Sequence, residues 1–441
     1  MKEKEMLMKK KRLWIAALVV GFILVSVALT AKGTQEGPTE APKGPRAVEI
    51  FSWFTTGGEA TGLAALIQEV ERVYPDMKVT NSVVAGGGGD QFKAVLVSRM
   101  RGGDPPDTFL VQPGGSLIET WVKTDFMEPI TDLFKSEGWV DVMPANMLDL
   151  LRYDGEYWSV PTHVNRTGNI WYNKNVFAKY GITSLPDTYP QLFTLLDKMK
   201  ADGLIPVAMG TLRGYEVGQN FETILASLMT VEQYSGLWHG NTKWTDPKVT
   251  EALGYLKKMM TYVNNDHSAM PWQDAIEYMI SGKAAFLNVQ GDWVDGWMSA
   301  VKDQRDVSMI ARTAPVGCKT RFLFNCDTWA LPKGAPHRAN ALDLLRVFGS
   351  KKGQEAFAPK KGAIAARTDV DLAAFNPYLR TDIADFKAHQ LYPSVAHGVA
   401  ASESWRASFL DEINLFATKT GDIVKTQAKL QAIADEELSR K

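Results

Sequence analysis

From residue 47 onward the apolar positions alternate between short extended runs and longer stripes at helical spacing. Ala47 to Phe54 (AVEIFSWF) is β-branched and aromatic, which predicts a strand running into the turn-rich TTGGEATG. Leu63, Leu66, Ile67, Val70 and Val73 then recur on one helical face until Pro75 stops them. A strand over Met77 to Val84 follows, and the glycine run Gly86 to Gly89 opens a helix bearing Phe92, Val95, Leu96 and Met100. Gly102 to Pro106 returns the chain to a strand at Asp107 to Gln112. Strand, helix, strand, helix, strand predicts a mainly parallel sheet with helices on its faces. Ligands of such sheets bind beyond the carboxyl ends of the strands, so Trp53 to Glu59 and Gln112 to Ser116 are the expected site loops.

After Trp158 to Pro161 the pattern begins again, with Asn169 to Tyr172 extended and Leu192, Leu195, Leu196 and Met199 on a helix behind Pro186 and Asp187. Helices are also predicted through Val249, Leu253, Leu256 and Met260, at Ile276 to Ile280, and from Ser404 to Lys441. An apolar strand spans Ala284 to Val289. The stretches 160–166 and 324–328 contain no long Pro or Ser linker and read as extended hinge crossings between two lobes.

The amino terminus departs from this order. Residues 1–12 end in four consecutive cations, and Leu13 to Ala31 carry no charge over 19 residues. This is the pattern of an export leader, and its length also suits an uncleaved membrane anchor. Residues 32–46 are Gly, Pro, Thr and Glu rich and read as a flexible linker. Residues 1–32 hold seven Lys and Arg against two Glu, so the formal net charge of −1 becomes about −6 once they are set aside. A mildly acidic body argues against a nucleic-acid groove, which needs clustered positive charge. Two cysteines, Cys318 and Cys326, lie close together in PVGCKTRFLFNCDTW. An exported chain could bridge them or bury them as separate thiols.

Catalytic and metal motifs find little support. No G-x-S-x-G occurs, and the six His residues (163, 239, 267, 337, 389 and 397) lack the spacing of a metal site. Asp90 and Gln91 stand where a phosphate-binding loop would carry Lys and a hydroxyl. No cofactor is implied. With 50 Asp and Glu, no opposed pair is singled out for glycoside hydrolysis. What stands out is tryptophan at strand and helix ends: Trp53, Trp158, Trp272, Trp293 and Trp329 among 13. Sugar rings offer flat C–H faces to indoles and hydroxyl edges to planar polar groups, so a sugar site combines both. Trp272, at a predicted helix start, and Trp293, after the strand-ending QGD, are the favoured platforms; Asp327 and His397 are polar candidates. Asp382 reads as a surface position.

Taken in order, FSW (51–53), GGDPPDTF (102–109), YWSVP (157–161), WYNKNVF (171–177), SGKAAF (281–286), GDW (291–293), DTWALPKGA (327–335) and KKGAIAAR (360–367) resemble the family 1 extracellular solute-binding proteins, the sugar receptors of bacterial ABC importers. The resemblance covers nearly the whole exported body and is nearest to the glucose/galactose-binding branch. It implies an α/β, two-lobe periplasmic-binding-protein fold of type II with three hinge crossings. One lobe would be 47–161 with 327–367, the other 162–326 with 368–441. It also implies a monomeric receptor, not an enzyme, in the periplasm or on the outer face of the membrane, delivering a monosaccharide to permease subunits. The positions matching the branch's sugar contacts are Trp53, Glu59, Gln112, Trp272, Trp293, Asp327, Lys361 and His397. Two depart from the branch: Gln112 stands where it has His, and the loop before Glu59 is one residue longer. A secreted carbohydrate hydrolase and a membrane-tethered sugar sensor are the rival readings.

Overall fold

The computed structural model describes residues 46–84 and 89–440. The expected leader and nearly all of the linker, with Gly86 to Gly88, lie outside them. Strand β1 (Arg46–Ser52) ends before Trp53, which leaves the strand to pack against Phe92. Helix α1 (Gly57–Val73) buries Leu63, Leu66 and Val70 and stops before Pro75, as its periodicity predicts. Strand β2 (Met77–Val83), helix α2 (Asp90–Arg101) and strand β3 (Thr108–Val111) complete the predicted order. Strand β1 pairs in parallel with both β2 and β3.

Strand β4 (Ser159–Arg166) is buried along its whole length and leads directly to β5 (Ile170–Asn173) of a second sheet. There β5 joins β6 (Ile205–Ala208), β7 (Ala284–Leu287) and β8 (Ile310–Thr313) in the order β8-β5-β7-β6. Around it lie helix α3 (Tyr215–Leu228), helix α4 (Trp272–Ile280) and helix α5 (Trp293–Val301). The chain then returns through β9 (Arg321–Ala330), which pairs antiparallel with β3 in a first sheet otherwise built on parallel pairs of β1 with β2 and β3. Helix α6 (Lys351–Lys361), helix α7 (Pro377–Ala388), strand β10 (Gln390–Pro393) and helix α8 (Glu403–Leu415) follow. The first sheet reads β10-β9-β3-β1-β2, with β4 on β9. Each sheet has its own apolar core, and the molecule is a two-lobe periplasmic-binding-protein fold. Phe375, Leu379, Ile383 and Phe386 pack into the first core although they follow the third expected crossing.

Both predicted crossings are extended, and they pair with one another: β4 and β9 run antiparallel from Phe324↔Arg166 to Ala330↔Ser159. A register shift at Asp327/Thr328 leaves Thr162 unpaired beside Pro161. Proline cannot donate to a ladder, which makes this the natural place for a bulge. A third segment joins them where Val164 and Ile364 exchange backbone hydrogen bonds of 2.8 and 3.0 Å.

Asp382 is not at the surface. Helix α7 points Leu379 and Phe386 into the first core and sets Asp382, fully buried, against two guanidinium groups. Its Oδ1 is 3.1 Å from Arg166 Nη1 and its Oδ2 2.6 Å from Arg312 Nη1. Arg312 also reaches Asp292 Oδ1 at 2.6 Å, so α7 is tied through charge to the second sheet. The two cysteines do not bridge: Cys318 lies in the second core and Cys326 in the first, each free and fully buried. The alternation of β9 turns Cys326 inward to one core while the preceding turn leaves Cys318 in the other. Burial pushes the Cys318 thiol up to about 12 and the Cys326 thiol in the same direction. Among the described residues no helix is long and apolar enough to cross a membrane.

Removing one member of a buried charge cluster strands the others without water, at about 3–5 kcal/mol. Asp382→Ala is therefore expected to lower unfolding stability by about that amount in a denaturant titration. A loss under about 1 kcal/mol, typical of a surface site, would contradict the structural role of this cluster.

Candidate ligand site

A cavity of about 230 Å³ lies where the two sheets' loops meet, and all eight positions named from the sequence line it. Trp53 follows β1 and Gln112 follows β3, the carboxyl ends that the strand order singled out. Glu59 is in the first turn of α1, and Lys361 ends α6, which packs along α1. Asp327 comes from the crossing strand β9. From the second sheet's side, Trp272 opens α4 and Trp293 opens α5, while His397 sits in the turn after β10.

Asp327 is held from two directions. Gln112 Nε2 donates to its Oδ1 at 3.2 Å, and His163 Nε2 lies 3.1 Å from its Oδ2. Burial alone would raise the Asp327 carboxyl, but His163 and Lys361 outweigh it and hold it below the usual carboxylate range. His163 itself is neutral at pH 7, since burial lowers it to about 4. Lys361 Nζ donates to Asn165 Oδ1 at 2.9 Å and is 3.8 Å from Glu59 Oε1. The Glu59 side chain keeps 33% of its surface accessible, and it is a wall of the cavity. Burial dominates there, only partly offset by Lys361, and pushes its carboxyl up to about 7.

His397 is fixed by a buried carboxylate one step away. Glu222 Oε2 accepts from the backbone N–H of Val395 and Ala396 at 2.8 and 3.0 Å, and Ser394 Oγ links its Oε1 to His397 Nδ1 at 2.9 Å. Burial and then Arg406 lower His397 to about 3, so the ring is neutral. Its centroid lies 5.3 Å from that of Trp293.

The aromatic wall depends on two close approaches. A Cβ on Gly291 would fall 2.2 Å from the Trp293 ring, so only glycine lets the indole fold back, where its Nε1 donates to Gln290 Oε1 at 3.0 Å. A Cβ on Gly296 would fall 2.2 Å from the Lys361 carbonyl oxygen, and one added to Gly58 would meet the Gly296 Cα at 3.0 Å. Helix α5 thus touches α1 and the end of α6 backbone to backbone.

Two of the highlighted tryptophans are elsewhere. Trp329 is fully buried in the first core and Trp158 packs on its edge. Eight further residues line it: Thr55, Thr56 and Gly57 belong to the expected loop from Trp53 to Glu59, while Arg213, Tyr215, Gln273, Trp297 and Asn325 were not foreseen. Periodicity carried a signal for two of them, since Trp297 is one helical turn after Trp293 and Asn325 is two strand residues before Asp327. Arg213 and Tyr215 sit in a turn and at a helix start, where no periodicity points. Among the described residues no group of three or more His, Cys, Asp or Glu could hold a metal ion.

The fold and this cleft define a solute-binding receptor of two lobes. The chain belongs to the bacterial extracellular solute-binding protein family, whose model matches residues 56–355. An uncharacterized ABC transporter extracellular-binding protein of Pyrococcus horikoshii is 33% identical over 411 residues, 92% of each chain. A probable sugar-binding periplasmic protein of Rhizobium meliloti is 28% identical, covering 89% of this chain and 94% of its own. Among solved structures, the solute receptor AcbH, characterised as exclusive for β-D-galactopyranose, gives a TM-score of 0.78 at 18% identity over 90% of this chain and 100% of its own.

The Glu59 carboxyl makes a pH signature. Its folded value of about 7 lies above the ordinary 4.5, so between those limits the folded chain holds a proton that the unfolded chain has released. Stability must then fall as pH rises through this window. Glu222, also about 7, acts in the same sense, whereas His163 and His397 remove stability as pH falls below their ordinary 6.5. Comparing the wild type with Glu59→Gln cancels the shared terms. Relative to the wild type, the variant should gain stability as pH rises from 5 to 7 in denaturant melts, and parallel profiles would refute the raised Glu59 carboxyl.

Proposed function

We propose that this chain is an extracytoplasmic receptor that captures a neutral monosaccharide, glucose- or galactose-like, and delivers it to the permease of an ABC importer. We place the lobes at 47–161 with 327–367 and at 162–326 with 368–441, with α7 reaching across onto the first core. Trp53, Glu59, Gln112, Asp327 and Lys361 act from one side, and Trp272, Trp293 and His397 from the other. The observation that carries the reading is the pairing of indoles with unsatisfied acceptors: Gln112 Oε1 and Asn325 Oδ1 are enclosed without a protein partner on residues that line the cavity. Ligand hydroxyls supply the donors such acceptors lack, while indole faces take the ring. A volume of about 230 Å³, below the roughly 300–1,000 Å³ of ordinary ligand pockets, favours a small sugar over a long oligosaccharide. Ligand bridging the two sides stabilises the closed arrangement, which a permease can distinguish from the open one.

A hydrolytic reading rests on one feature, the opposed tuning of Glu59 upward and Asp327 downward. Release of reducing ends from a sugar panel would favour it over the receptor.

The full chain should be melted with D-glucose, D-galactose, D-xylose and a set of disaccharides. A ligand at about 100 times its Kd adds roughly 2.7 kcal/mol of stability. Asp327→Ala should weaken binding of the responding sugar about tenfold or more, while exposed Asp411→Ala leaves it unchanged. No shift with any sugar, or equal effects of the two variants, would overturn the assignment.

A further inference from the structure

Strands β4 and β9 place two pairs of polar residues opposite one another, Asn165↔Asn325 and His163↔Asp327. All four are buried. Three of them face polar groups of the protein. Asp327 takes Gln112 and faces His163; His163 Nδ1 is 3.2 Å from Thr162 Oγ1; Asn165 accepts from Lys361 Nζ and donates to the Gly362 carbonyl at 3.2 Å. Two atoms of the four residues are enclosed without a hydrogen-bond partner: His163 Nε2, which has the Asp327 carboxylate 3.1 Å away, and Asn325 Oδ1, whose side chain lines the cavity.

A mid-strand position that only needed filling would favour a β-branched or other apolar residue, because a buried amide with an empty acceptor is costly and strands tolerate Asn poorly. Asn325 therefore calls for a donor from outside the chain. We propose that Asn325 is a specificity-determining contact, accepting a hydrogen bond from one particular hydroxyl of the bound sugar. This rests on the sugar-receptor reading and deepens it. Asn325 and Asp327 share one face of β9, so the strand that crosses between the sheets reads the ligand itself through two adjacent same-face side chains. Specificity at this position comes from the crossing strand, independent of the indoles contributed by α4 and α5.

A chemical cycle on the full chain tests it, using D-galactose and D-glucose with their 2-, 3-, 4- and 6-deoxy derivatives and calorimetry as readout. For the wild type, one deoxy derivative should bind roughly 5- to 100-fold more weakly because it leaves Asn325 unpaired. Asn325→Ala should lose a similar factor with the parent sugar yet show no further loss with that one derivative, while penalties at the other positions persist. Melting without ligand checks that the variant folds, and Asn325→Ser serves in its place if it does not. If the wild type binds and every deoxy penalty is the same in the variant, or if the variant binds the parent sugar as tightly as the wild type, this assignment alone is overturned. If the wild type binds none of these sugars or the wider panel, the receptor reading falls first and takes this contact with it.

Discussion

The antiparallel pairing of β4 with β9 is the constraint on which the rest of the molecule depends. Two segments that pass between sheets are buried throughout, and their sequences, SVPTHVNR and RFLFNCDTWA, carry polar and charged side chains that a buried strand must satisfy. The solution is distributed along the ribbon. At one end Arg166 is met by Asp382 and Asp385, and its backbone N–H by Asp292 Oδ2 at 2.8 Å. In the middle Asn165 is met by Lys361 and Asp327 by Gln112. The ribbon that joins the sheets also supplies Asn325 and Asp327 to the cavity wall.

Asp292 shows how closely the two are coupled. It sits between Gly291, which must be small for the Trp293 indole to fold back, and Trp293 itself. Its carboxylate accepts from Arg166 N–H, Asn169 Nδ2 and Arg312, and its own N–H donates to the Arg166 carbonyl at 3.1 Å. Burial and then Asp382 push this carboxyl up, against the pull of the guanidinium groups. The indole on the cavity wall is therefore fastened to the crossing strand by its neighbour in sequence, and the position of one reports on the other.

Much of this was legible in the chain because periodicity is strong where helices cover a sheet. The stripe through Leu63, Leu66 and Val70 and the run AVEIFSWF each define one element and its end. The eight candidate positions came from the family resemblance and not from periodicity, and they line a single cavity although they are spread over more than 300 positions. What failed has a common physical cause. A lone polar residue gives no periodic signal, so Asp382 read as solvent-facing when two arginines from distant strands enclose it, and Asn325 went unnoticed beside Asp327. Trp158 and Trp329 show the converse: an indole at a strand end is as readily core as cavity wall, and only its neighbours in space decide. Cys318 and Cys326 are eight residues apart in sequence, yet Cys318 lies in the turn before β9 and Cys326 within the strand, and they enter different cores.

Those two thiols are the only ones in the chain, both without exposed surface and both held protonated by their surroundings. Thiolate is the reactive form, so neither should compete for an electrophile added to the folded protein. A cysteine introduced on the cleft rim would stand alone as an attachment point for a solvent-sensitive dye, and the molecule could be turned into an optical reporter without first deleting its native sulfhydryls.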